Sequence, residues 1–342
     1  MIKKVTMMAA MAAATVSFAK AQDTLQISGS VDTYFKYDFE KGANIQTSFA
    51  SDHNSVSLGM LDLALKKSTG KASFVGELSF GPRGQLQSIP GGDGSGSFHI
   101  QNLYTTYAFT DKFSMTAGYM GTFIGYEVIS PVANYNYSTS YLFTNGPFQN
   151  AGIKANATLS DKIGVMVGLF NSEWNAYSAT PTLGLNNFGA QISLAPIKGW
   201  NAYLNMITGS TAGTEFDLTT AYQITDKFKL GLNVADYSAA GDSDEGFTGG
   251  ALYASYGAIG VRAESFKSKA VSSVVYSGVV ADESVFALTV SGNIKAGGLT
   301  VIPEIRFDNG STNMFRKSGT LPTAAPDSKS ASQFALALVY AF

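Results

Sequence analysis

The chain has 342 residues, no cysteine, 14% charged residues and a formal charge of −2. Without cysteine it has no disulfides, thiol chemistry or thiolate-held metals, and its acidic balance excludes a nucleic-acid partner, which needs a basic surface. Its charged fraction lies well below the roughly 25% of soluble domains, while 36 glycines, 23 phenylalanines and 17 tyrosines enrich it in residues suited to tight turns and lipid interfaces.

The N-terminus reads as a secretory signal, 1–21. Lys3 and Lys4 supply the charged region, Val5 to Phe18 the apolar stretch, and Ala19-Lys20-Ala21 a small-x-small cleavage site. A retained helical anchor fits less well, because the apolar run is short and alanine-rich. Cleavage would start the mature chain at Gln22 and take the charge to −5, with 20 basic against 25 acidic residues.

Beyond the signal no apolar run is long enough for a spanning helix. Period-two alternation bounded by turn residues instead predicts strands over 25–39, 53–67, 71–80, 98–109, 112–123, 149–159, 162–171, 186–195, 199–208, 214–224, 227–238, 247–256, 258–267, 283–295, 298–308 and 331–342. Sixteen is an even number, as single-chain bacterial barrels require. After each even-numbered strand comes a tight turn, such as Ser68-Thr69-Gly70, Thr110-Asp111 or Gly257. After the odd-numbered strands come mostly longer segments: 40–52, 81–97, 124–148, 172–185, 209–213, 239–246, 268–282 and 309–330, of which only 209–213 is short. Short periplasmic turns and long external loops produce this asymmetry. The expected fold is all-β, a transmembrane antiparallel up-and-down β-barrel of sixteen strands. Bilayers admit only helices or closed barrels, because lipid offers no partner to a free backbone N–H or C=O.

Three turns repeat one solution: Thr110-Asp111-Lys112, Ser160-Asp161-Lys162 and Thr225-Asp226-Lys227. A hydroxyl residue and Asp can each bond their own backbone in a tight turn. Pro303 fits poorly inside a closed sheet, where it removes a ladder hydrogen bond, and a local bulge or a misplaced boundary is expected there. The final strand alternates Phe334, Leu336, Leu338, Tyr340 and Phe342 with smaller residues. Its terminal aromatic resembles the signal by which outer-membrane assembly machinery selects its clients. Tyr340 and Phe342 are expected to complete a periplasmic aromatic girdle with Phe109, Phe113, Trp200 and Phe228.

Alternation also assigns faces. Asp32, Asp38, Asp62, Glu77, Glu215, Asp217, Glu264 and Glu304 are expected on the lumen side with Lys36, Lys66, Lys154, Lys229, Arg262 and Arg306. Eight acids against six bases predict a slight cation preference, screened over about 8 Å at physiological salt. A barrel of sixteen strands leaves an aqueous channel, so some segment must narrow it. The expected constriction is 124–148, the longest connection, rich in aromatics (Tyr126, Tyr135, Tyr137, Tyr141, Phe143), stiffened by Pro131 and Pro147, with Glu127 its single charge.

Within that connection, Gly125-Tyr126-Glu127-Val128-Ile129-Ser130-Pro131, Asn136-Tyr137-Ser138-Thr139-Ser140-Tyr141 and Gly146-Pro147-Phe148 resemble the central segment of the OmpL-like β-barrel porins, the second β-barrel porin family. The similarity runs from about Asp32 to the C-terminus, and this segment is its specific part. Relatives carry a His shortly after the Gly-Pro, where this chain has Gln149-Asn150. The resemblance implies an outer-membrane channel and brings no catalytic set.

Enzymatic readings have little to rest on. His53 and His99 lie at external strand ends with no spacing for metal ligation, and Gly91-Gly92-Asp93-Gly94-Ser95-Gly96 lacks the lysine and strand–helix context of a phosphate loop. The sequence therefore points to a porin that passes small hydrophilic solutes and ions without catalysis, cofactor or metal. It would be exported to the bacterial outer membrane, embedded in its lipid and inserted by the assembly machinery, with a homotrimer as one assembly that the sequence leaves open. The alternatives are a surface-binding barrel without an open channel and a soluble secreted β-sandwich.

Overall fold

Alternating apolar and polar positions become strands when one face can be buried and the other left to a second medium. In the computed structural model, which describes residues 24–42, 44–83, 98–317 and 325–342, this pattern gives sixteen antiparallel strands. The proposed signal, 1–21, and the run Gly91–Gly96 lie outside the described residues. The strands are β1 (Gln26–Asp38), β2 (Ser55–Thr69), β3 (Ala72–Phe80), β4 (Phe98–Thr110), β5 (Phe113–Gly121), β6 (Gln149–Ser160), β7 (Ile163–Asn171) and β8 (Leu185–Leu194). They continue with β9 (Trp200–Gly209), β10 (Gly213–Gln223), β11 (Phe228–Ala239), β12 (Asp242–Tyr256), β13 (Ile259–Ser268) and β14 (Ser284–Gly292, extended by Ile294–Ala296). β15 (Leu299–Gly310) and β16 (Ser330–Ala341) complete the set.

Each strand pairs with its sequence neighbours, and β1 also pairs with β16, from Ser30 opposite Ala341 to Asp38 opposite Gln333. Gly29 and Phe342 exchange backbone bonds of 3.1 and 3.0 Å at the end of this seam. One closed sheet results, which sets aside the two-layer sandwich. Closure leaves no unpaired strand edge. The outer face carries exposed apolar residues such as Val56, Leu103, Leu204, Phe216 and Leu252, and Phe109, Phe113, Trp200, Tyr340 and Phe342 are exposed near the short-turn end.

The three repeated turns share one bond. The hydroxyls of Thr110, Ser160 and Thr225 accept from the backbone N–H groups of Lys112, Lys162 and Lys227 at 3.2, 3.2 and 3.3 Å. The hydroxyl is thus the residue that closes these turns on the backbone two positions on.

Two expectations need correction. The connection expected over 239–246 is shorter, because β12 begins at Asp242 and bulges before regular pairing resumes between Gly246 and Ser238. Gly241 and Gly246, at φ +82° and +139°, supply backbone conformations that other residues rarely adopt. Pro303 produces no bulge. Register is the same on both sides of it, Ser291 opposite Glu304 and Ile294 opposite Val301, and pairing lapses at Gly292–Asn293, where the missing N–H would have been needed. A true bulge lies elsewhere: between Val31 and Thr33, where Gly59-Met60 of β2 oppose Asp32.

Candidate channel and its inner loop

The connection 122–148 lies along the inner wall, and its placement follows from how its polar groups are satisfied. A loop without regular structure leaves backbone N–H groups that need acceptors when buried. Here wall carboxylates provide them. Asp217 accepts from Gly125 N–H at 3.1 Å, and from the Asn205 and Asn233 amides at 2.6 and 2.5 Å. Glu304 accepts from the N–H groups of Tyr137 and Ser138 at 2.7 and 3.1 Å and from the Ser291 hydroxyl at 2.7 Å. Glu264 accepts from the N–H groups of Tyr141 and Leu142 at 2.9 and 2.8 Å. These two residues open a short helix, α1 (Tyr141–Asn145), whose N-cap Ser140 accepts from Phe143 N–H at 2.9 Å. A carboxylate and a hydroxyl thereby satisfy the free N–H groups of the first turn.

Cations of the wall hold the loop's acceptors. Arg262 donates to Glu127 at 2.5 Å, to the Ser138 carbonyl at 2.7 Å and to Thr289 at 3.2 Å. Arg306 forms a two-pronged pair with Asp308 at 2.8 and 2.9 Å and reaches the Thr139 carbonyl at 2.8 Å and Thr47 at 3.0 Å. Asp32 accepts from Met60 N–H at 2.8 Å and from the Tyr137 phenol at 2.5 Å, and Arg83 lies 3.5 Å away. The Arg83 guanidinium also sits over the rings of Tyr137 and Phe49, 4.5 and 4.9 Å from their centroids. Tyr141 donates to Asp308 at 2.7 Å. Burial holds the Tyr137 and Tyr141 phenols above their ordinary range, so both remain O–H donors.

Packing completes the placement. Phe123 and Ile124 join Met166, Phe170 and Ile207 in a buried cluster on β7 and β9. Tyr126 stacks on Tyr253 with centroids 4.2 Å apart, and the half-exposed Tyr135 lies over Gly260. Pro131 opens a single 3₁₀ turn, Pro131–Ala133. Phe143 and Phe148 meet edge to face at 4.7 Å and both contact Phe49. Phe49 belongs to the first connection, which also enters the lumen: Ser48 N–H donates to Thr144 and the Thr139 hydroxyl to Ser48, at 2.8 and 2.7 Å.

The lumen residues expected from alternation therefore divide. Asp32, Asp217, Arg262, Glu264, Glu304 and Arg306 bond the loop. The others lie elsewhere on the inner wall. Asp38 accepts from the N–H groups of Glu40 and Asn44 at 3.1 and 3.0 Å, Lys36 is buried beside it, and Asp62 accepts from Ser30 N–H. Glu215 is buried next to Asp217 in β10, and Glu77 accepts from the Asn102 amide at 2.5 Å. Lys154 has no hydrogen-bond or ion-pair partner among the described residues.

The sequence count had set all of these charges in water. Seven of the eight acids and three of the six bases are instead buried, so the charges that face water are fewer than that count assumed. Asp308 was missed although its parity matches Glu304 and Arg306, because the expected strand ended there. Arg83 gave no signal, since it lies in a connection where no periodicity assigns a face. His53 caps β1, accepting from Asp38 N–H at 3.0 Å, and His99 is buried at the start of β4. Among the described residues no three His, Cys, Asp or Glu converge on a metal position.

A closed barrel with an apolar outer wall, a charged inner wall and a long loop laid along that inner wall defines the porin class of outer-membrane proteins. The chain belongs to the family described as "Putative beta-barrel porin-2, OmpL-like", whose model matches residues 24–342. No curated protein matches the sequence. Among solved structures it is similar to the anion-selective porin of Comamonas acidovorans, with 15% identity and a TM-score of 0.60 over 93% of this chain and 99% of that one. It is similar to OprB of Pseudomonas putida at 11% identity and TM-score 0.59, covering 94% of each chain. It also resembles OmpT of Vibrio cholerae at 12% identity and TM-score 0.54, over 95% of this chain and 99% of that one.

Proposed function

We propose that the protein is a diffusion porin, passing small hydrophilic solutes and ions down their gradients with no covalent step. The observation that carries this reading is the loop 122–148, held to the inner wall by six charged residues from β1, β10, β13 and β15. A lumen filled only for stability would be packed with apolar side chains. A loop anchored along one arc of the wall leaves the polar inner faces of β3 to β6, with Glu77, Asn102, Thr116 and Lys154, on the other side of the passage. Export by the signal 1–21, insertion by the outer-membrane assembly machinery and trimerisation belong to the same reading.

Planar-bilayer recording tests it. Refolded protein should give stepwise conductance, and a variant shortened within 126–145 should give larger steps and admit larger sugars in liposome swelling. A silent bilayer despite verified insertion would reject the channel. It would favour the second reading, a surface-binding barrel, to which the dense contacts among the first, third and seventh long connections also point: Thr144 to Ser48, and Asn145 to Ser277 at 2.8 Å.

A further inference from the structure

Burial decides which lumen charges an ion can meet. Buried carboxylates that sit against a guanidinium are neutralised there, and the other buried acids are kept from direct contact with an ion in the passage. Of the charges assigned to the lumen side, Lys66 is exposed and Glu77, Lys154 and Lys229 are part-buried, while the rest are buried. The inner loop adds nothing to this set, because Glu127, its single charged residue, is bonded to Arg262.

These four are not equivalent. Lys66 and Glu77 lie on the paired strands β2 and β3, close enough to couple, and offset each other. Lys229 stands across from Ser255 at a small pocket under Tyr126 and Tyr135. Lys154 sits mid-strand on β6, opposite Thr116 of β5 and Gly168 of β7. Gly118 and Gly152 form a cross-strand pair next to it. No charged group couples to it. An amine with no internal counterion, beside a passage bounded by low-dielectric wall, holds its positive charge by drawing a counterion from solution.

We infer that the passage favours small hydrated anions and that Lys154 is its main selectivity residue. This rests on the porin reading. The exposed acids at the outer end, such as Asp242 and Asp244 at the start of β12 and Asp282 in the connection before β14, oppose it only weakly, because they stand in open water, where salt screens them within about 8 Å.

Reversal potentials of the refolded protein under a KCl gradient test the inference. Wild type should favour chloride over potassium by roughly twofold at low salt, a ratio that falls towards one as salt rises. Lys154→Gln should bring the ratio near one and Lys154→Glu should invert it, with step conductance retained. Glu77→Gln, on the other side of the balance, should increase the chloride preference. A conducting wild type that favours potassium, or a chloride preference that Lys154→Glu leaves unmoved, would overturn the inference and leave the porin standing. Absence of any conductance would reject the porin itself and the inference with it.

Discussion

Glu127 is a buried carboxylate whose partner is delivered by a strand 135 residues further along the chain. Two ions out of water are tolerable only when geometry and extra hydrogen bonds offset their lost hydration, and Arg262 supplies both through Ser138 and Thr289. Removing one partner leaves the other charge uncompensated, at a cost of about 3–5 kcal/mol. Glu127→Gln should therefore loosen the inner loop while the barrel stays closed. The expected readout is faster protease cleavage within 122–148 and noisier single-channel current, with heat modifiability unchanged. Adding Arg262→Met should restore most of the loop's protection, because no orphaned guanidinium remains. An unchanged cleavage rate in Glu127→Gln would show that the pair does not hold the loop. The sequence identified both residues by alternation and by the isolation of Glu127, but not their pairing. Alternation states which face a side chain occupies and says nothing of what lies over it.

Strands were the most legible elements, because each must alternate along its whole length to separate lipid from lumen. Their boundaries fall within a few residues of expectation except at β12, where the bulge after Asp242 interrupts the pattern that periodicity detects. The seam between β1 and β16 was less visible, since no local pattern records pairing between segments about 300 residues apart. It depends on Gly29. A β-carbon there would stand 2.7 Å from the Phe342 ring, and the Asp62 carbonyl also blocks it. Gly29→Val should therefore hinder closure. The expected result is a reduced heat-modifiable fraction after refolding, while Gly42→Val, where no neighbour crowds the position, leaves it unchanged. Equal folded fractions would mean that the ring of Phe342 yields easily.

As an assembled barrel, the protein puts its apolar residues outside and its charges inside, the reverse of a soluble domain. Composition hinted at this through scarce charge, abundant aromatics and the lack of a spanning helix. The expectation of export rests on the N-terminus alone. If signal processing follows Ala19-Lys20-Ala21, mass spectrometry of membrane-purified protein should give a first residue of Gln22. A retained Met1 would reject the cleavage. Least legible was the net field of the lumen, because it depends on which charges the inner loop covers, a property of the folded assembly. The seam has a further consequence. Because β1 and β16 are ordinary neighbours in the ring, the order in which strands leave the ribosome is arbitrary with respect to the finished barrel. Joining Phe342 to Gln26 through a short linker and opening the chain at the Gly257 turn preserves every strand pairing and relocates the break between β12 and β13. Such a circular permutant should build the same channel from a different first strand.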